Sequence, residues 1–151
     1  MVTMARAPTA DPYYAAKFWV EIQGITQAYF TECSGLTAET EIQEYAEGGL
    51  NDFVHKLPGR TKFSNVVLKR GWVDSDDLWK WYSQVIAGKI QPQNVSIILY
   101  ENTVNSPGPE KARWNLINAF PVKWQGPEFR ADGTAVLVET LELAHQGFNR
   151  Q

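Results

Sequence analysis

Two histidines, His55 and His145, and a single cysteine, Cys33, are the residues of this 151-residue chain best suited to nucleophilic or metal chemistry. A cysteine activated by an imidazole would make a covalent catalyst. The same three residues could in principle ligate zinc, but they lack the short spacings that metal-binding loops use. A lone cysteine is ordinarily a small buried hydrophobe, so no catalytic residue and no metal ligand is assigned. Glu139 is the other candidate, because it shares a strand face with Leu137, Leu141 and Leu143. A bulge that turns it outward, or a partner such as an arginine, accounts for it better than catalysis does.

No glycine motif of the phosphate-cradling kind occurs, and no cofactor is expected. Leu57-Pro58-Gly59-Arg60-Thr61 has the look of a sorting signal, but mid-chain it reads as a turn between strands. Six tryptophans in a strand-rich chain could build a sugar-binding surface. Trp79 and Trp81 fall on a helix, however, and Trp114 and Trp124 on an apolar strand face. Core or subunit interface is the better account, with a carbohydrate-binding β-sandwich module as the alternative.

Any such residue has to be positioned by strands, since most of the chain alternates with period two. Phe18, Val20 and Ile22 share one face against Lys17, Trp19 and Glu21, and Gly24 ends that strand. A second strand is expected at about 26–31, before the turn at Ser34-Gly35. From Ala38 to Ala46, Glu39, Glu41 and Gln43 form one face, and Ala38, Thr40 and Ile42 form the other. Further strands are expected at about 61–70, around Val95, Ile97 and Leu99, and over Trp114, Leu116, Asn118, Phe120, Val122 and Trp124. In that run Pro121 argues for an edge or a bulge. The last strand is expected over about 134–144, after the turn at Asp132-Gly133.

One helix interrupts the strands. Leu78, Trp81, Tyr82 and Val85 follow helical spacing, Asp74 or Ser75 can cap it, Asp76 and Asp77 suit its positive end, and Gly88 stops it. Leu78, Tyr82 and Val85 are expected to bury. The fold class is therefore mainly β: two packed antiparallel sheets, a sandwich or small barrel, with one flanking α-helix. Residues 1–12 read as a flexible polar arm and 13–151 as a single domain.

Composition sets the outer limits. Hydrophobic residues make up 44% of the chain, enough for a core without disulfides or metals. A net charge of −3 gives no electrostatic reason to seek nucleic acid. One cysteine allows no intrachain disulfide. The first residues hold no apolar stretch of signal-peptide length, and the longest apolar runs are too short to span a bilayer. A soluble protein without a membrane anchor, made and assembled in the cytoplasm, is expected.

Charge is unevenly spread. Glu32, Glu39, Glu41, Glu44, Glu47 and Asp52 precede Lys56, Arg60, Lys62, Lys69 and Arg70, with no mixing of signs. Two compatible readings follow. One is a hairpin with opposite charges across its strands. The other is a subunit with an acidic and a basic edge, able to meet copies of itself head to tail.

The stretches Phe18-Trp19-Val20-Glu21-Ile22, Phe30-Thr31-Glu32-Cys33-Ser34-Gly35-Leu36, Leu57-Pro58-Gly59-Arg60-Thr61-Lys62 and Val67-Leu68-Lys69-Arg70-Gly71, followed by Ala119-Phe120-Pro121-Val122-Lys123-Trp124 and Glu139-Thr140-Leu141-Glu142-Leu143-Ala144, carry a resemblance. In their order and spacing the chain resembles the tail tube protein family of contractile phages and phage-like contractile injection systems. The resemblance implies a β-sandwich-like subunit that closes into hexameric rings. The rings stack into a tube within a sheath, and sheath contraction drives the spike-tipped tube through a target envelope. It implies no catalytic residue. The partners it implies are the chain itself, the sheath protein, and baseplate and spike proteins. Lumen cargo would be DNA in a phage tail and protein effector in an injection system, the latter being the reading favoured slightly. On this reading Glu39, Glu41 and Gln43 face the lumen, the alternatives for the two glutamates being pairing with Lys62 or Lys69 across a hairpin or a place on the outside facing the sheath, and the segment of Glu47, Gly48, Gly49, Asn51 and Asp52 reaches the neighbouring ring.

Overall fold

Alternating strands account for most of the molecule. A computed structural model describes residues 18–23, 25–46, 48–49, 54–102, 107–133 and 136–151. The expected arm at 1–12 lies outside them. In chain order the elements are β1 (Phe18–Ile22), β2 (Ile25–Tyr29), β3 (Glu32–Ser34), β4 (Ala38–Tyr45), β5 (His55–Phe63), β6 (Val66–Gly71), α1 (Asp77–Ile86), β7 (Gln93–Asn102), β8 (Pro107–Gln125), β9 (Val138–Ala144) and β10 (Phe148–Arg150). Eight strands form one antiparallel sheet in the order β2-β1-β7-β8-β9-β6-β3, with β10 also paired to β8, and β4-β5 form a separate ribbon.

The long strand β8 belongs to both halves of that sheet. Its first part pairs with β7 and β10, and its last part with β9. Val20, Ile22, Val95, Ile97 and Leu116 from one half meet Val66, Leu68, Leu141 and Leu143 from the other in a single core. Burying each such side chain stabilises the fold by about 1.5–3 kcal/mol. The sandwich of two antiparallel layers expected from alternation is present. Among the described residues it does not close into a barrel, because β2 and β3 end the order.

The expectation of one apolar face along β8 fails at two points. Asn118 adopts φ +49°, a left-handed conformation that asparagine tolerates better than most residues. Ala112 and Leu116 face the core before it, and Ala119 and Pro121 after it, so the inward parity flips. The register then slips between Pro121 and Lys123, which restores the parity and sets Trp124 opposite Leu141. Asn118 and Val122 are therefore exposed and Phe120 is half-buried. Pro121 does mark a bulge, as expected.

The strand expected over 61–70 is two strands, broken at Ser64-Asn65, which explains its conflicting parity. The Leu57–Thr61 stretch lies within β5 rather than in a turn. Its proline is tolerated because the ribbon has free edges, and the register shifts between Thr40 and Ile42 where Gly59 and Arg60 sit. Gly35 turns β3 into β4 with φ +93°, and a Cβ there would fall 2.1 Å from the Asn65 carbonyl oxygen, so glycine is required.

The helix begins one turn-residue later than its sequence caps suggest. Asp76 occupies the N-cap without a side-chain bond, so neither Asp74 nor Ser75 caps it. Asp77 instead accepts the Leu78 N–H at 2.9 Å. Gly88 stops the helix at φ +79°, with Lys89 N donating to Gln84 O and Gly88 N to Val85 O, the paired bonds of a Schellman motif. Leu78 and Trp81 are buried, whereas Tyr82 and Val85 are only half-buried because the helix lies at the margin of the sandwich. No helix among the described residues is long and apolar enough to cross a membrane.

Candidate functional site

Neither histidine forms a nucleophilic pair with the cysteine. Cys33 sits in β3 opposite Leu68, packed against the core, and burial pushes its thiol up to about 11. His145 has both ring nitrogens engaged: Nε2 bonds the Ser64 carbonyl at 2.9 Å, and Nδ1 accepts the Gly147 N–H at 3.1 Å. His55 lies on the ribbon opposite Tyr45. Among the described residues no group of histidine, cysteine and carboxylates is placed to hold a metal ion.

Glu139 has the arginine partner its sequence position calls for. Arg70 directly opposes it across β6 and β9, and both are almost fully buried. Arg70 Nε donates to Glu139 Oε1, and Nη2 donates to Asp77 Oδ1 at 2.8 Å. Trp124 Nε1 donates to the second Glu139 oxygen at 3.3 Å, and the guanidinium lies 5.8 Å from the Phe30 ring centre. Four elements, β6, β8, β9 and α1, are thus tied by one network. Burial alone would raise the Asp77 carboxyl. The hydrogen bond and charge of Arg70, with help from Ser75 and the Leu78 N–H, more than reverse this and hold it below the usual range.

The sign of that shift gives a test. A carboxyl depressed in the folded state stabilises the fold above its unfolded value near 3.8 and loses that contribution as pH falls toward its folded value. Asp77→Asn is expected to lower the unfolding midpoint by a constant amount above pH 5 and to approach the parent as pH falls below 3.8. A difference that stays constant down to pH 2 would show that the Asp77 charge contributes nothing.

The polar sheet face is the more extended feature. On the side of β3-β6-β9-β8 away from the core, aligned residues form two rows. One is Glu32, Lys69, Thr140 and Gln125, and the next is Ser34, Val67, Glu142 and Lys123. Glu32 and Lys69 lie 3.7 Å apart, and Lys123 stands directly across from Glu142. Acid and base are matched along each row.

The ribbon continues this pattern. Glu39 stands opposite Lys62, Glu44 opposite Lys56, and Lys62 pairs with Glu41 at 2.5 Å. Thr40 and Thr61 bond across the other face at 2.9 Å. Phe63, aligned with Ala38 on that face, packs at 5.4 Å edge-to-face on Phe148, a residue packed against the core. Glu39, Glu41 and Gln43 therefore alternate onto the side of the ribbon that carries Lys62, away from the Phe63 contact. Most of the described residues of the two charge blocks fall on the two strands of this ribbon, Glu39, Glu41 and Glu44 on β4 and Lys56, Arg60 and Lys62 on β5, while Glu32 lies in β3 and Lys69 and Arg70 in β6. Gly48 and Gly49 form the turn beyond β4. Glu47, Asn51 and Asp52 lie outside the described residues.

Sequence reading alone missed the Lys123–Glu142 row, although Lys69, Thr140 and Glu142 alternate with buried neighbours. It also missed the strand β10 and the open groove of about 1100 Å³ between the polar face and residues 126–133 and 136–137.

Comparison with known proteins locates this architecture. Residues 14–149 match the family model described as T4-like virus tail tube protein gp19. A chain of the anti-feeding prophage baseplate, solved by cryo-EM with 6-fold symmetrisation, is 27% identical at TM-score 0.82, covering 95% of this chain and 97% of its own. A chain of the sheath-tube complex of PVC, an extracellular contractile injection system in the extended state, is 22% identical at TM-score 0.83, covering 100% and 99%. A type six secretion system protein shares the fold at TM-score 0.60 and 10% identity, over 88% of this chain and 81% of its own. Comparison with curated proteins gives no match.

Proposed function

The chain belongs to the T4-like tail tube protein family and is a structural tube subunit, and from that premise we propose how its surfaces are used. Copies close into hexameric rings that stack as the inner tube of a phage-like contractile injection system, a rigid conduit driven through an envelope when the surrounding sheath contracts. The sheath protein and the baseplate and spike proteins are its partners. The match over residues 14–149 carries this reading. The likeness to a chain of a 6-fold symmetrised prophage-derived baseplate supports both the ring and the injection system over a DNA-conducting tail.

In such a tube the polar rows line the channel, with Glu39, Glu41 and Gln43 extending the wall along the ribbon. Because Lys62, Lys69 and Lys123 accompany the acids, the wall is mixed in sign and close to neutral. A neutral wall holds neither acidic nor basic cargo strongly, which favours passage over retention. The turn at Gly48 and Gly49, with Glu47, Asn51 and Asp52, meets the next ring.

Electron microscopy of the purified chain tests the assembly, and rings or stacked tubes are expected. A species that stays monomeric over a wide concentration range, with no tubes in lysate, would sink the reading. The doubly substituted Glu39→Lys, Glu41→Lys chain tests the wall. Tubes should still form, and should now retain nucleic acid or acidic protein in a salt-dependent way. Failure of that variant to assemble would place the two glutamates at a subunit interface instead.

A further inference from the structure

Among the described residues the β4-β5 ribbon pairs with no strand of the larger sheet. It joins the body at the Gly35 turn and at the Ser64-Asn65 break, where Ser64 N donates to Thr37 O at 3.2 Å. A two-stranded ribbon is only marginally stable in water by itself, so its order depends on what docks it.

The dock is a small cluster around His145. Phe63, the last residue of β5, packs on Phe148 at 5.4 Å and on the His145 ring at 6.0 Å, and His145 lies 6.0 Å from Phe148. The Phe63 ring also covers the backbone of buried Gly147, where an added Cβ would meet it at 3.2 Å. His145 closes the cluster with two bonds of opposite sense. Its Nδ1 accepts the Gly147 N–H, which leaves the one proton of a neutral imidazole on Nε2, and Nε2 donates it to the Ser64 carbonyl.

Both bonds together need the neutral ring. A second proton, on Nδ1, would remove the acceptor of the Gly147 N–H and set one N–H against another. The tilted rings of Phe63 and Phe148 offer the cation less than that lost bond costs. Charged side chains of the surrounding elements are engaged with other groups. Lys62 pairs with Glu41, Lys69 with Glu32, Glu142 stands across from Lys123, and Arg150 lies over the Trp114 ring.

We propose that His145 is a pH-sensitive latch, which holds the β4-β5 ribbon against the body when neutral and frees it when protonated. The latched state binds one proton fewer than the released state. Its advantage is therefore full above the imidazole range and is lost as pH falls through it. If only the neutral ring latches, an ordinary imidazole in the released state weakens the latch about 30-fold between pH 8 and pH 5. The device needs only the folded chain and stands apart from the tube reading.

Hydrogen exchange of the full chain, corrected for the intrinsic pH dependence of exchange, tests it. Between pH 8 and pH 5 the Gly147 amide is expected to lose about 30-fold in protection. The Ser64 amide and those of β4-β5 should lose protection with it, while core amides of β6 and β9 keep theirs. His145→Asn cannot titrate, but its carboxamide oxygen can still accept the N–H two residues on. Its ribbon should be equally protected at both pH values. His145→Ala removes both bonds and should leave the ribbon poorly protected at both. Equal pH dependence in the parent and His145→Asn would overturn the latch, as would a His145→Ala ribbon as well protected as the parent's at pH 8. Loss of core protection together with the ribbon's would also overturn it, since that is global unfolding.

Discussion

Arg70→Ala is expected to destabilise the folded chain by about 3–5 kcal/mol, because it strands a buried carboxylate without its partner. Arg70 and Glu139 face each other across β6 and β9 inside the sandwich, and the same guanidinium reaches Asp77 at the start of α1. Removing it leaves Glu139 with only the Trp124 N–H. The Arg70→Met, Glu139→Leu double variant separates the interaction from the burial. It removes both charges and should recover most of the loss, since a buried ion pair is often replaceable by packed apolar residues. Denaturant midpoints of the parent and these variants decide the matter. A loss under about 1 kcal/mol for Arg70→Ala would show that water reaches the site.

Leu78→Ala should cost about 2–5 kcal/mol, depending on how far the site collapses around the cavity. Leu78 is 1% exposed and belongs to the shared core, where Trp81 joins it one turn later. The same substitution at Ile86, on the open side of the helix, is expected to change stability by no more than about 0.5 kcal/mol. Comparable midpoint shifts for the two would mean that the helix is not docked as described.

These two residues also show what local pattern can and cannot reveal. Leu78 was legible, because helical spacing projects directly onto a buried face. The strand faces of β1, β7 and β9 were legible for the same reason at period two. Asn118 hid the parity of β8, since one residue in a left-handed conformation reverses the side chains from Ala119 to Pro121 and no periodicity announces it. The Glu139 partner was legible as a type but not as a residue. Arg70 alternates with Val66 and Leu68, which was a signal, but the rung that joins it to Glu139 is a pairing between strands far apart in sequence. The polar wall was half legible. Alternation gave Glu39, Glu41 and Gln43, while Lys62 and Lys123 came onto the same side only through register shifts between Thr40 and Ile42 and between Pro121 and Lys123.

The shared strand β8 has a kinetic consequence. The sandwich is sewn together by partners remote in the chain: Phe18 aligns with Leu99, and Arg70 with Glu139. Neither half can complete its core before β8 arrives to bridge them, so folding should be a single event on the order of milliseconds to seconds, as in other domains of high contact order. The β4-β5 hairpin needs only its own neighbours and can form in about 1–10 μs. For most of the folding time, then, a finished ribbon with two unpaired edges is attached to an unfinished body. Its acidic and basic strands carry charge at both edges, and charged edges resist casual pairing with other nascent chains. The charged edges of the ribbon thus act first as a guard against premature aggregation.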